Sequence, residues 1–259
     1  MPVLFVGHGS PMNMILDNDF TRSLIRWGKA LPRPKAIMVI SAHWLSKGTR
    51  VASGDKPEMI YDFSGFPKEL YNFKYACPGA SEFARQIQAS SADLIECDHV
   101  RGLDHAAYAV LKYMFPAADI PVFEVSLDYL FNQWEPKPLR YHYGLAQRFV
   151  DLRTQGVLIM ASGNMVHNLS QIEYDIETPV YDWALKLDEK MKEKLSHEDH
   201  AYLIDILNHE KNAALAIPTL DHYLPMIYAL GLQEKGESLK FMYEGIQNGS
   251  ISMRSFQIG

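Results

Sequence analysis

Continuous apolar runs rich in β-branched residues occur at residues 3–6, 36–40, 121–126 and 156–161, and a turn signal follows each. Runs of that length and composition predict buried strands. Further on the period changes. Val180, Ala184, Leu187, Met191 and Leu195 recur at spacings of three and four, opposite Lys186, Glu189, Lys190 and Glu193, which predicts an amphipathic surface helix. Other helices are predicted over 20–30, 81–89, 106–115 and 141–154. Residues 54–79 hold several aromatics together with Pro57, Gly65, Pro67 and Pro78, and read as a long ordered excursion over the sheet. Long loops of this kind are often functional. Strand and helix patterns alternate, with no internal repeat, low-complexity segment or linker. The expectation is one α/β domain over residues 1–259, with a mostly parallel central sheet covered by helices on both faces.

Composition agrees with that picture and narrows the partners. A chain of 259 residues, 47% hydrophobic and 12% aromatic, can bury a large core. With 25 basic and 31 acidic side chains the net charge is -6, and no basic run exists to grip nucleic acid or an anionic membrane. The opening residues lack the basic start and apolar stretch of a signal peptide, and no apolar run approaches the roughly 20 residues that span a bilayer. A soluble, cytoplasmic protein is expected. The two cysteines, Cys77 and Cys97, form no CxxC pair, so neither a disulfide framework nor a thiolate zinc site is indicated. Both read as packing residues, and a metal would have to be held by histidine and carboxylate.

The ten histidines sort by context. His8 follows the first predicted strand in GHGSP, His43 follows the second in VISAHW, and His167 follows the fourth in ASGNMVHN. His105 stands at a predicted helix start in GLDHAAY, and His222 lies in IPTLDHYLP. His99, His142, His197, His200 and His209 have polar or amphipathic surroundings and are expected at the surface. One histidine at a strand end is more often a hydrogen-bonded structural residue. Three in equivalent places, at the end of the sheet where open α/β folds bind ligands, point to a shared metal or acid–base site. Neutral imidazole suits borderline divalent ions, and its ordinary pKa of about 6.5 suits proton transfer near neutrality. There is no HExxH helix, no GxSxG elbow around Ser10 or elsewhere, and no GxxxxGK(S/T) or GxGxxG loop.

Taken in order, GHGSPMN, SAHW, GFP, GLDHAAY, PVFEVSLD, ASGNMVHNL, PTLDHYLP and the terminal GSISMRSFQIG resemble the class III extradiol ring-cleavage dioxygenases, in the 4,5-DOPA dioxygenase branch. The resemblance covers essentially the whole chain and implies that superfamily's α/β fold. It implies a divalent metal on His8, His43 and His222, with His167 as the general base and as a fourth ligand when zinc fills the site. His105 matches the second active-site histidine, which hydrogen-bonds substrate or oxygen. Fe(II) would serve ring cleavage, and Zn(II) is expected in isolated protein, because three imidazoles suit zinc as well. Protocatechuate-type relatives carry glutamate at the position of His222. Asn168, Leu169 and Ser170 follow His167 as in bacterial-type members.

The implied reaction adds both atoms of O2 to a DOPA-like catechol, opening the ring beside the diol to give a muconic semialdehyde. Phe63, Phe66 and Tyr71 are candidate pocket walls, and Asp104 and Asp221 candidate orienters of the histidines that follow them. An amino-acid side chain on the catechol would need a partner for its carboxylate. Two alternatives are a zinc-dependent hydrolase on the same histidines, with metal-bound water as nucleophile, and a binding protein that kept the metal site without turnover. Retention of both His105 and His167 argues against the second.

Overall fold

The computed structural model describes residues 1–130, 135–136 and 138–259. Its strands are β1 (Val3–Gly7), β2 (Ala36–Ser46), β3 (Thr49–Ala52), β4 (Ile95–Asp98), β5 (Val122–Leu130), β6 (Glu135–Pro136), β7 (Val157–Gly163), β8 (Leu239–Tyr243), β9 (Ile246–Gln247), β10 (Ile251–Ser252) and β11 (Ser255–Ile258). The large sheet runs β4-β3-β5-β2-β7-β1-β11-β8, with β6 on β5 and the β9–β10 pair apart. Its centre, β5-β2-β7-β1, is parallel, with Ile37 between Val122 and Leu158, and Val3 beside Ile159. These four are the predicted strands. β11 and β3 run antiparallel to the central four, so the α/β sheet is parallel at its core and mixed towards its edges.

Every residue of β1 and β7 is buried, which is why their sequences do not alternate. Successive side chains still point to opposite faces. Phe5, Met38 and Ile159 enter one core with Leu187 and Met191 of helix Asp182–Ser196 and Met226 of helix Leu224–Gly231. Leu4, Val39 and Met160 enter the other with Leu24 of helix Asp19–Ala30 and Leu111 of helix His105–Met114. Helices thus cover both faces.

Three expectations need correction. The helix predicted from Val180 begins at Asp182, and Val180 is 38% exposed. The predicted helix over 141–154 is divided into Leu139–Ala146, a tight turn Gln147–Phe149, and Val150–Thr154. The first piece packs on helix Leu224–Gly231 and the last on β7, and a turn with fewer residues per revolution rotates the apolar stripe from one neighbour to the other. β2 does not stop at Ile40. It continues to Ser46 with its register against β5 broken between Ile40 and Leu45, and His43 sits in that irregular stretch.

The excursion over 54–79 leaves β3, bridges Met59 to Leu103, forms the short helix Lys68–Asn72, and closes where Gly79 donates to the Asp55 carbonyl at 2.8 Å. Its rings pack on one another, Phe63 to Tyr71 at 5.2 Å and Tyr61 to Tyr71 at 6.1 Å. Beyond β10, buried Arg254 donates to Asp188 at 3.0 Å, and Ser252 donates to the same carboxylate at 2.6 Å. These bonds tie the C-terminal segment to helix Asp182–Ser196. They also fix the backbone at Ile251, which bridges to His167.

Candidate metal centre

Five histidines from five separate segments meet beyond the ends of the central strands. His8 comes directly after β1, and its amide donates to the Gly163 carbonyl at 3.2 Å, joining the ends of β1 and β7. The turn into His222 crosses the end of β7 so closely that a Cβ on Gly163 would lie 2.2 Å from the His222 carbonyl oxygen, which also accepts from Asn164 at 2.9 Å. Glycine at the strand end is what admits this second histidine. His43 comes from the irregular part of β2, its amide donating to Ser41 Oγ at 3.0 Å. His105 opens its helix behind the N-cap Asp104. His167 is held by its amide on the Ala216 carbonyl at 2.9 Å.

His8, His43 and His222 each present a ring nitrogen, and these atoms all lie within 4.8 Å of one another. The Nε2 atoms of His8 and His43 are 3.1 Å apart. Two imidazole nitrogens on one ion at about 2.1 Å stand roughly 3.0–3.4 Å apart for angles between about 90° and 109°. The spacing therefore fits a shared ion.

The hydrogen bonds fix which nitrogen carries the proton. Ser162 Oγ gives its hydrogen to the Ala106 carbonyl at 2.7 Å, so at 3.0 Å from His8 Nδ1 it must accept. His222 Nδ1 meets Asp221 Oδ2 at 2.5 Å, and His43 Nδ1 lies 3.3 Å from Asp62 Oδ2. In His8 and His222 Nδ1–H is hydrogen-bonded and Nε2 is left with its lone pair, as a metal ligand needs, while His43 Nδ1 only faces the Asp62 carboxylate.

A second group, His43, Asp62 and His105, is also close enough to hold an ion. Asp62 Oδ2, however, is hydrogen-bonded to His105 Nδ1 at 2.7 Å, and an ion there would have to displace that proton. The first group is the better cradle. His167 belongs to neither: its ring stacks on His222 with centroids 3.5 Å apart and planes 8° from parallel, on the wall of the cavity above.

Burial dominates the protonation of the cluster. It pushes His8 and His222 well below the ordinary imidazole value, and the neighbouring histidines add to the effect. Burial also brings His43 down to about 4, helped by His105 and opposed by Asp104 and Asp62. His167 is likewise lowered to about 4 by burial, against the pull of Asp221. For Asp62 burial acts upward, but the hydrogen bond and charge of His105 outweigh it and hold the carboxyl low. At neutral pH the three candidate ligands are neutral imidazoles, a donor set that suits iron(II) or zinc.

Unfolded histidines take up protons near pH 6.5, while His43 and His167 resist until about 4 when folded. Between those values the unfolded chain binds more protons, so stability is complete above the upper value and falls as pH drops through the window. Urea midpoints of metal-free protein are expected to decline from about pH 6.5 to about pH 4. A flat profile would show that the histidines are not buried as neutral groups.

The cavity over the cluster measures about 810 Å³. Phe63 and Phe66 line it as expected, whereas Tyr71 stands behind Phe63. Asp221 orients His222, but the carboxylate that orients His105 is Asp62. Asp104 instead caps the helix, accepting from Ala106 at 3.0 Å, and takes the Ser41 hydroxyl at 2.7 Å. Sequence reasoning missed Asp62, whose only signal was its place in the aromatic excursion. His142 is not at the surface. It is fully buried, with Nδ1 at 3.0 Å from the Tyr228 hydroxyl, because helix Leu139–Ala146 turns it inward. His200 is half-buried, while His99, His197 and His209 are exposed. Burial pushes the Cys77 thiol up to about 11, which keeps it an inert packing residue.

Compared with known protein families, residues 2–253 match the catalytic LigB subunit of aromatic ring-opening dioxygenase. The chain belongs to this family. It is 40% identical to 4,5-DOPA dioxygenase extradiol of Escherichia coli (strain K12), an alignment covering 100% of this chain and 95% of that protein. With the Beta vulgaris 4,5-DOPA dioxygenase extradiol it shares 32% identity over 98% of this chain and 94% of the other. A crystal structure of an uncharacterized Escherichia coli K12 protein, 37% identical, matches over 100% of both chains with a TM-score of 0.85. The LigB-family chain is thus a class III extradiol ring-cleaving dioxygenase of the 4,5-DOPA branch. No observation favours the zinc hydrolase or the inactive metal holder.

Proposed function

We propose that this dioxygenase opens a DOPA-like catechol beside its diol, with iron(II) on the Nε2 atoms of His8, His43 and His222, and yields a muconic semialdehyde containing both atoms of O2. The observation that carries the proposal is the convergence of ring nitrogens of His8, His43 and His222, with the rings of His8 and His222 held by hydrogen bonds at Nδ1, beneath a cavity walled by His105 and His167. The names of the relatives, which specify 4,5-DOPA and extradiol cleavage, support the substrate class.

A divalent ion held on these nitrogens would supply a Lewis-acidic centre for the catechol oxygens and for dioxygen. The remaining work falls to the chain. His167, neutral and buried, accepts a catechol proton as the ring docks. His105 faces substrate and oxygen with Nε2 while Asp62 anchors its Nδ1, which keeps the ring from turning away as charge develops. Phe63, Phe66, Leu169 and Ile172 supply apolar lining to the cavity in which the catechol ring would dock. Zinc can occupy the same nitrogens in isolated protein without supporting oxygen chemistry. A cytoplasmic location belongs to the same proposal and accords with the two free cysteines.

The test is oxygen uptake by anaerobically iron(II)-loaded protein given L-DOPA in air, beside a zinc-loaded control. One oxygen consumed per catechol, a yellow product and a silent zinc form are expected. No uptake across a panel of catechols, with ester or amide hydrolysis by the zinc form, would overturn the proposal.

A further inference from the structure

A guanidinium stands behind two of the clustered histidines. His43 and His105 bring their ring centroids to 4.1 Å, although the first comes from β2 and the second opens helix His105–Met114. The residue after His43 is Trp44, and the Arg101 guanidinium lies 4.9 Å from its ring centroid. The residue before His105 is Asp104, whose carboxylate pairs with the same guanidinium. Arg101 thus contacts the chain neighbours of both histidines.

Its other bonds leave it little freedom. Arg101 Nε donates to Glu124 Oε2 at 3.0 Å, while Glu124 Oε1 accepts from the Asp104 amide at 2.8 Å. Asp104 and Glu124 are fully buried, and the Arg101 side chain is 15% exposed. One planar fork serves two carboxylates and an aromatic face, which a lysine ammonium cannot do.

From Asp104 the constraint divides. Its Oδ1 accepts from the Ala106 amide at 3.0 Å and fixes the first turn of the helix that carries His105. Its Oδ2 accepts from the Ser41 hydroxyl at 2.7 Å, and Ser41 Oγ in turn accepts from the His43 amide at 3.0 Å. That amide lies where β2 loses its register with β5, so a side chain takes over the work of the ladder. None of Ser41, Arg101, Asp104 and Glu124 lines the cavity, so they act on the site only through the two histidines.

We propose that Arg101 is a positioning residue: through Asp104 it sets the spacing between His43 in the metal cradle and His105, which faces substrate and oxygen. This role rests on the ring-cleavage reading and names what holds two of its histidines in place. A buried ion pair that only stabilised the fold would act independently of Ser41. A positioning one reaches the metal through that hydroxyl.

The test measures zinc affinity of the full chain by chelator competition in the wild type, Arg101→Lys, Ser41→Ala and the double variant, with cobalt(II) absorption bands reporting ligand geometry. Each single change is expected to weaken zinc about tenfold or more and to shift the cobalt bands. The double variant should bind within about twofold of the weaker single one, because both changes cut the same chain of contacts. Arg153→Lys is the control. That buried arginine pairs with Glu237 and holds the Met1 carbonyl at the opposite end of β1 from His8, so its loss should lower the thermal midpoint and leave zinc affinity alone. Single losses that multiply in the double variant, zinc affinity unmoved by Arg101→Lys, or an equal loss in Arg153→Lys would each overturn the proposal. Should Arg101→Lys not fold, Asp104→Asn replaces it, since asparagine still caps the helix but offers Arg101 no charge, and the same dependence on Ser41 is expected.

A second arm follows L-DOPA turnover at saturating iron. Arg101→Lys should lower kcat about tenfold or more as His105 shifts, with KM moved by less than about threefold. An unchanged kcat would overturn the link to His105. If the wild type opens no catechol, ring cleavage itself has failed, and the zinc arm still decides whether Arg101 positions His43.

Discussion

Alanine in place of His222 is expected to remove the metal and with it ring cleavage. The His222 imidazole is buried, neutral at working pH and aligned by the 2.5 Å bond from Nδ1 to Asp221. Disturbing only the outer partner of a ligand typically lowers metal affinity about 10- to 100-fold. Deleting the ligand should exceed that, leaving iron below stoichiometric occupancy after dialysis and turnover reduced by about a thousandfold or more. Asp221→Asn, which keeps an oxygen beside Nδ1 but loses the charge, should fall in the 10- to 100-fold range. Metal analysis after dialysis, with thermal unfolding as a check on folding, separates the two variants. Full iron occupancy in His222→Ala would shift the ligand set to His43, Asp62 and His105, the other group close enough to hold an ion.

How far the sequence reveals such a site depends on what kind of signal each residue leaves. β1, β2, β5 and β7 were legible because strands covered on both faces are continuous apolar runs, and the histidines at their ends stood out against glycine and serine. Helix Leu224–Gly231 was not, because all eight of its residues are buried and no amphipathic period remains. The short strands β3 and β4 hold only four residues each, too few for a pattern to emerge. Asp62 lies 43 positions from the His105 ring that it orients, and Ser162 lies 154 from His8, so only the completed fold brings each pair together. Asp104 was misjudged for a related reason. A residue just before a helix points its carboxylate at the amides of the first turn, not at the neighbouring side chain. Asp221 could reach its neighbour because it lies in a turn ahead of its helix.

His167 sets a stricter test, since it stacks at 3.5 Å on a proposed ligand without sharing that ligand's place in the cradle. His167→Ala is expected to keep the iron and lose the proton acceptor. Removing a positioned general base costs about 10²- to 10⁴-fold, and the loss should appear in kcat, with KM moved far less because the catechol oxygens still have the metal to bind. Added imidazole, small enough for a cavity of about 810 Å³, should restore part of the rate in the variant and none in the wild type. If iron leaves together with the rate, His167 is a fourth ligand, and proton removal must be assigned to His105. Iron retained, kcat lost and partial rescue would separate the two jobs across a single stacked pair: His222 holds the metal through Nε2, and His167, kept neutral by burial, takes the proton that the docking catechol releases.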